Sequence, residues 1–412
     1  MVSVCFYFQV HQPYRLRKYN IFDIGNSHDY FDNDQNRKIL KKVAHKCYIP
    51  TNEVLLNLLK QYPNFKIAYS LSGVVIEQFK EYAPEVLDSF KELLKTGRVE
   101  LIQETYHHSL SSIFSEEEFR DQVRLHKELI KKEFNVTPTV FRNTELIFNN
   151  KIGALIDSMG FKGTMAEGAD KILEWRSPNF LYHLAGNPKF KLLLKNYSLS
   201  DDIAFRFSDK GWKEHPLTVE KFVKWLNNAN GNGEIINLFM DYETFGEHQW
   251  ESTGIFEFLN HLPGKVFEHP DNDFITPSEA IRKLESKGEF SSEEVISWAD
   301  VERDISAWVG NDIQRAAVEY LYELEKPIKD SKDKKLLDDW RKLQTSDHFY
   351  YMCTKYFNDG DVHKYFNPYD SPYNAFINFM NILNDIILRL EKKGKTLDSE
   401  RINEFKLKIK GV

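Results

Sequence analysis

The chain is poor in cysteine, glycine and proline, with 3 Cys, 19 Gly and 14 Pro in 412 residues. Cys5, Cys47 and Cys353 are far apart and form no C-x-x-C pair, which excludes a disulfide framework and a zinc knuckle. So little Gly and Pro excludes collagen-like and low-complexity classes. No run reaches 18 consecutive apolar residues, so no membrane span is expected. Basic residues are not in excess: 55 Lys and Arg stand against 62 Asp and Glu, a formal net charge of −7. That is the wrong sign for a protein that tracks nucleic-acid phosphates. No P-loop, G-x-G-x-x-G or G-x-S-x-G occurs, so nucleotide binding and a serine nucleophile have no support. The N-terminus carries no basic region or small-residue cleavage site, and with few cysteines it reads as cytoplasmic. No motif sets an oligomeric state. What is present is apolar surface: 42% hydrophobic and 14% aromatic residues are enough for a large core.

Short apolar runs alternate with amphipathic ones over about the first 280 residues. The runs Val2–Val10, Phe65–Ser70, Arg98–Gln103, Thr139–Arg142, Phe161–Thr164, Phe190–Leu194 and Glu234–Asp241 predict strands. Helical patterns lie between them at Asn36–Lys60, Pro84–Lys95, Ser115–Lys132, Asn149–Met159 and Thr218–Asn228. Ser115 and Glu118 form a capping-box pair. Such alternation means a parallel sheet. Beyond Pro277 strand-like runs vanish, and helices are predicted over Asp312–Glu325, Lys334–Gln344, Pro372–Lys393 and Asp398–Lys410. Ser371 is placed to cap the third of these, with Pro372 in its first turn. The expectation is an α/β domain over 1–280 followed by a helical domain over 281–412, docked without a flexible linker. Lys329–Lys335 reads as a solvated charged face, and Asp359-Gly360-Asp361 as a turn.

Reactive groups gather just after four predicted strands: His11, then Glu104 with His107 and His108, then Glu145, then Asp241 with Glu243. In parallel α/β folds the C-terminal strand ends share one face, where sites are assembled. Glu145 and Asp241, carried by different strands, are a carboxylate pair suited to glycoside hydrolysis. Each raises the other's proton affinity, which favours one acid and one base. Tyr106, Trp175, Phe245, Trp250, Trp298 and Trp308 are candidate platforms for sugar rings. A rival reading takes His11, His107, His108, Asp241 and His248 as ligands of a hydrolytic metal. It lacks any H-E-x-x-H spacing, and adjacent His107 and His108 should diverge.

Five segments occur in order: His11-Gln12-Pro13; Gly97–Glu100 running into Glu104–Leu110; Arg142–Glu145; Met240–Gly246; and Asp304–Asn311. Together they resemble the conserved regions of glycoside hydrolase family 57, its α-amylase group in particular. Ser346–Met352 and Asp359–Phe376 are similar to that group's C-terminal part. The resemblance implies a distorted (β/α)7 barrel followed by a C-terminal α-helical domain that contributes to the cleft. It implies action on α-glucans with retention of anomeric configuration, and no metal or other cofactor. Glu145 is then the nucleophile and Asp241 the general acid/base, with carboxyl groups about 5–5.5 Å apart. His11, Glu104, Tyr106 and His108 are implied at the substrate, as are Asp304 and Trp308 from the helical side. Trp250 and His348 complete the set of expected sugar-binding residues. Hydrolysis, transfer to another sugar (4-α-glucanotransferase or branching) and a catalytically silent glucan-binding protein stay open at this stage.

Overall fold

A computed structural model describes residues 2–355 and 367–395. The expected helix Asp398–Lys410 and turn Asp359–Asp361 lie outside the described residues. One sheet contains ten strands. In chain order they are β1 (Val2–Val10), β2 (Ile67–Leu71), β3 (Val99–Leu101), β4 (Val140–Arg142), β5 (Gly163–Glu167), β6 (Tyr182–Leu184), β7 (Asn187–Lys195), β8 (Ile235–Asp241), β9 (Asn272–Phe274) and β10 (Glu289–Phe290). Seven of them, β1, β2, β3, β4, β5, β7 and β8, follow one another in parallel around a barrel. Two joins are thin: β3 meets β4 through the single bridge Gln103↔Phe141, and β7 meets β8 through Lys195↔Asn237. This is the distorted (β/α)7 barrel that the resemblance implies. The three strands absent from the sequence reading are two or three residues long, and β6 runs antiparallel to β7.

Both faces of these strands are buried, which explains why they read as continuous apolar runs rather than alternating ones. The two-residue period still sorts the side chains. On β1, Val4, Phe6, Phe8 and Val10 join a core formed with the surrounding helices. Cys5 and Tyr7 point into the barrel, where they meet Ala68, Ile102, Val140 and Phe239. Tyr7 meets Ser70 Oγ of the neighbouring strand β2 at 2.6 Å. The same inward parity carries the chain to Gln9 on β1 and His11 just beyond it, to Glu104 beyond β3, and to Asp241 at the end of β8.

The C-terminal part is helical, as expected, with helices Asp312–Glu323, Lys334–Lys342, Ser346–Tyr350 and Pro372–Lys392. Ser371 caps the last of these by accepting from the Asn374 N–H at 3.1 Å. These helices share one hydrophobic core with β4, β5 and β7: Phe141, Phe190 and Leu192 belong with Trp340, Phe379 and Leu383. Polar ties run across the junction. Arg341 donates to Glu118 at 2.8 Å, and the Ser346 N–H donates to the His108 carbonyl at 2.9 Å. Lys329, read as part of a solvated face, is instead drawn into this junction. It pairs with Glu117 at 3.0 Å and with Glu118 and Asp121 at 3.2 Å each. Three acidic side chains on one facing helix outweigh hydration of a single ammonium.

Candidate active site

Glu145 follows β4 in the turn Thr144–Leu146, with φ of 57° at Glu145 and 52° at Leu146. Non-glycine residues enter this left-handed region at a cost of about 1–2 kcal/mol each. The R-N-T-E sequence supplies compensation. Asn143 Nδ2 donates across the turn to the Ile147 carbonyl at 2.9 Å, and the Thr144 and Thr105 hydroxyls meet at 3.0 Å. A second segment is laid alongside: Phe148 and Ile296 form a two-way bridge, and the Trp298 N–H donates to the Glu145 carbonyl at 3.1 Å. The turn thereby aims the carboxylate over the C-terminal mouth of the barrel.

That carboxylate is 2% exposed and held from several sides. Trp298 Nε1 donates to Oε2 at 2.7 Å, and Ser346 Oγ donates to Oε1 at 3.0 Å. His108 Nε2 lies 3.4 Å from the same Oε1. Two cations lie over the indole of Trp298, the Arg142 guanidinium 4.8 Å and the Lys195 ammonium 5.2 Å from its ring centre.

Behind Glu145 the imidazole of His108 connects two carboxylates, its Nδ1 lying 3.1 Å from Glu104 Oε2. Burial alone would discharge this histidine, but its bonds to Glu104 and Glu145 outweigh burial and lift it to about 9. Glu104 is buried too, yet His108, followed by His126 and Arg142, draws it down to about 2. His11 stacks on His108 with ring centres 4.1 Å apart, bonded to Ser72 Oγ at 2.7 Å and Asp347 Oδ2 at 3.1 Å. Burial and then the neighbouring His108 push His11 below its ordinary value. The stacked pair thus carries its positive charge on His108.

Asp241 closes β8 and shares with Glu145 a cleft of two lobes, about 740 and 540 Å³. Glu145, Asp241, His248 and Trp298 line both lobes. Trp308, Tyr350, Phe205, Lys195, Asp201 and Arg303 line the larger one, while His11, Arg15, His108, Glu243 and Asp347 line the smaller. Beside Asp241, Glu243 accepts from Tyr48 and, at 3.2 Å, from Gln12. Burial and the charge of Asp241 push Glu243 up to about 8, so near neutral pH it is an uncharged neighbour.

The other expected residues divide by position. Trp308 lines the larger lobe and is 1% exposed, with no hydrogen-bond partner for its indole N–H among the described residues. Glu104 lies behind His108 and lines neither lobe. Tyr106 turns outward, packs on Gly73 and donates to Glu77 at 2.6 Å. Asp304 accepts from the Ser306 N–H and hydroxyl at 2.8 and 2.6 Å, shaping its own turn. Trp250 is exposed, under the Lys46 ammonium, and Trp175 is more exposed still. Phe245 is core. His348 is buried beside Phe379, and burial lowers it to about 4. One and two residues earlier, Asp347 and Ser346 reach the site, because successive helix residues diverge by about 100°. His107 and His108 also diverge: His107 packs against Tyr106, away from the cleft. Among the described residues no group of three or more His, Cys, Asp and Glu is arranged to hold a metal ion. Trp298 and Ser346 are the site residues that sequence reasoning missed in these roles. The sequence marks Trp298 only as a sugar platform and Ser346 only as the start of the Ser346–Met352 segment; neither signal points to a hydrogen bond on Glu145.

The model of glycosyl hydrolase family 57 matches residues 5–297. A Methanocaldococcus jannaschii protein, provisionally named an alpha-amylase, is 47% identical over 395 residues, 93% of this chain and 83% of that one. The branching enzyme of Thermococcus kodakaraensis is similar in structure, with TM-score 0.68 at 14% identity over 98% of this chain and 93% of that one. The 4-alpha-glucanotransferase of Thermococcus litoralis also gives 0.68 at 14% identity, over 93% of this chain but 59% of its own. At such identity the two structures speak for the fold alone. The family match and the close relative, set beside carboxylates and imidazoles gathered at one barrel mouth, place the chain in glycosyl hydrolase family 57 as one of its enzymes.

Proposed function

We propose that the protein is a retaining α-glucan hydrolase, an α-amylase that cleaves α-1,4 bonds of maltooligosaccharides or longer glucans. The observation that carries this reading is the hold on Glu145. Its carboxylate is buried, aimed by three side chains, and faces a cleft that Asp241 also lines. Glu145 attacks the anomeric carbon while Asp241 gives its proton to the departing glycosidic oxygen, leaving a glycosyl ester on Glu145. Asp241 then takes a proton from water as the water oxygen displaces Glu145, and the sugar leaves with its configuration retained. Trp308, Tyr350 and Phe205 in the larger lobe offer apolar faces to sugar rings, while Lys195, Asp201 and Arg303 offer polar groups to hydroxyls. The substrate is an uncharged polymer, and a net charge of −7 sets no conflict with it.

Incubation with maltoheptaose tests the reading. Shorter products should appear, with the α anomer first. Glu145→Gln and Asp241→Asn should each lower turnover by about a thousandfold or more. No cleavage by the wild type, or activity of Glu145→Gln within tenfold of it, sinks the proposal. A second reading, glucan transfer, is favoured by the cleft itself, since two lobes meeting at Glu145 and Asp241 have room for an acceptor sugar beside the glycosyl ester. Products longer than maltoheptaose, or new α-1,6 linkages, would move the assignment there.

A further inference from the structure

Glu104 stands in a recognised segment, yet the structure withdraws it from the cleft. It is fully buried, and its oxygens are spent on protein. Gln9 Nε2 donates to Oε1 at 3.1 Å, and His108 Nδ1 meets Oε2 at 3.1 Å. On the far side of the same imidazole, Nε2 faces Glu145 Oε1 at 3.4 Å. A neutral imidazole donates at one nitrogen and presents a lone pair at the other, whereas the imidazolium donates at both. With a carboxylate at each nitrogen, only the doubly protonated ring satisfies both neighbours.

We infer that Glu104 is a positioning residue that acts through His108, holding the imidazole doubly protonated and aimed at Glu145 so that this group enters the reaction as a carboxylate. The inference rests on the reading of Glu145 as nucleophile. It also bears on the second step. When the glycosyl ester forms, an electron pair of Glu145 becomes the carbon–oxygen bond and its charge is lost. When water displaces it, that pair returns to the carboxylate beside a fixed positive charge, which makes Glu145 a better leaving group. His108 keeps its proton throughout.

The groups that set this balance come from several elements. After His108 itself, His126 and Arg142 draw Glu104 downward, although burial lowers His126, so the permanent charge among them is that of Arg142. His11, held by Ser72 and Asp347, stacks on His108 and disfavours a second cation there. Asp241 and Glu243 face the assembly across the smaller lobe.

The test is Glu104→Gln, which keeps the shape and removes the charge. Nitrogen-15 NMR of the histidines, with the His108 signal assigned by its loss in His108→Asn, should show the His108 pKa falling by about two units. On maltoheptaose, the alkaline limb of kcat/KM should move down by about one pH unit or more, because His108 now loses its proton, and Glu145 its cation, at about pH 7 instead of about 9, with KM changed by less than about twofold. A rise in KM of tenfold or more with an unmoved alkaline limb would instead mean that Glu104 binds sugar, and would overturn the inference. An unchanged His108 titration would do the same. If Glu104→Gln fails to fold, as a thermal melt would reveal, Glu104→Asp takes its place. That shorter carboxylate should move both readouts partway, and no movement counts against the idea. Trapping the glycosyl ester with a fluorinated glycosyl fluoride separates the premises. A label on a residue other than Glu145 removes the nucleophile assignment, while the His108 titration still reports the Glu104 pairing.

Discussion

The indole of Trp298 spends its only hydrogen-bond donor on Glu145, at 2.7 Å. A bond from a neutral donor to a buried carboxylate is worth about 1.5–3 kcal/mol, so Trp298→Phe should lower kcat by about tenfold to a hundredfold. Steady-state kinetics on maltoheptaose check this. A change confined to KM would mean that Trp298 acts only as a sugar platform. Glu167, at the end of β5, shows the opposite case, a carboxylate without a hydrogen-bond partner for either oxygen among the described residues. Burial pushes it up to about 7 from an ordinary 4.5, against the pull of Lys195 and Arg303. The folded carboxyl therefore holds its proton more tightly than the unfolded one. Its favourable contribution is present below about pH 4.5 and is lost as pH rises through about 7. Glu167→Gln mimics the protonated form, so its Tm relative to wild type should improve between about pH 4.5 and about pH 7 and level off above that. A difference that does not vary with pH would refute this.

At the scale of elements, much was legible because the signals are local. Pro84–Lys95 stands as read and Ser115 caps its helix, although the Glu118 side chain accepts from Arg341 instead of closing the expected box, and the seven expected strands are the seven of the barrel. Ser371 offers a measurable case: Ser371→Ala should destabilise the protein by about 1 kcal/mol, since its hydroxyl satisfies one of the helix's first N–H groups. Denaturant unfolding measures it. Other boundaries moved for non-local reasons. Asn36–Lys60 reads as one helix, and the chain is helical without a break from Asn33 to Gln61, with one wider, π-type stretch at Ala44–Tyr48. Pro50 lacks an N–H to bond back along the helix, and it follows directly on that wider stretch, where the regular ladder is already interrupted. Phe161–Thr164 reads as a strand, yet β5 starts at Gly163 and runs to Glu167, paired with β7. A Cβ at position 163 would lie 2.4 Å from the Lys191 carbonyl oxygen, so glycine marks where the two backbones close up. Helices Gly73–Tyr82, Tyr197–Ala204 and Ile255–Phe267 escaped the pattern reading, and the last contains Pro263.

At the scale of the whole molecule, barrel and helices cannot be apportioned by core. Phe141, Leu192 and Leu194 of the sheet pack with Trp308, Trp340 and Phe379 of the C-terminal part. Cutting the chain after residue 280 would expose that apolar face and also remove Trp298 and Ser346 from Glu145. We expect a fragment of residues 1–280 to be insoluble or unfolded. Expression with circular dichroism checks it, and a cooperative melt from a soluble fragment would contradict the expectation. No described helix is long and apolar enough to cross a membrane.

By itself the sequence determined the strand–helix alternation and the placing of Glu145 and Asp241 at strand ends. Those depend on side-chain period, caps and turn residues acting over a few positions. The tertiary structure decided what surrounds them. Trp298 and Ser346 stand 153 and 201 residues from Glu145 along the chain, separations that no periodicity spans. It also decided that Glu104 faces His108 rather than the cleft. A charged side chain can be read from sequence, but which of its neighbours replaces water is settled only when the chain closes around it.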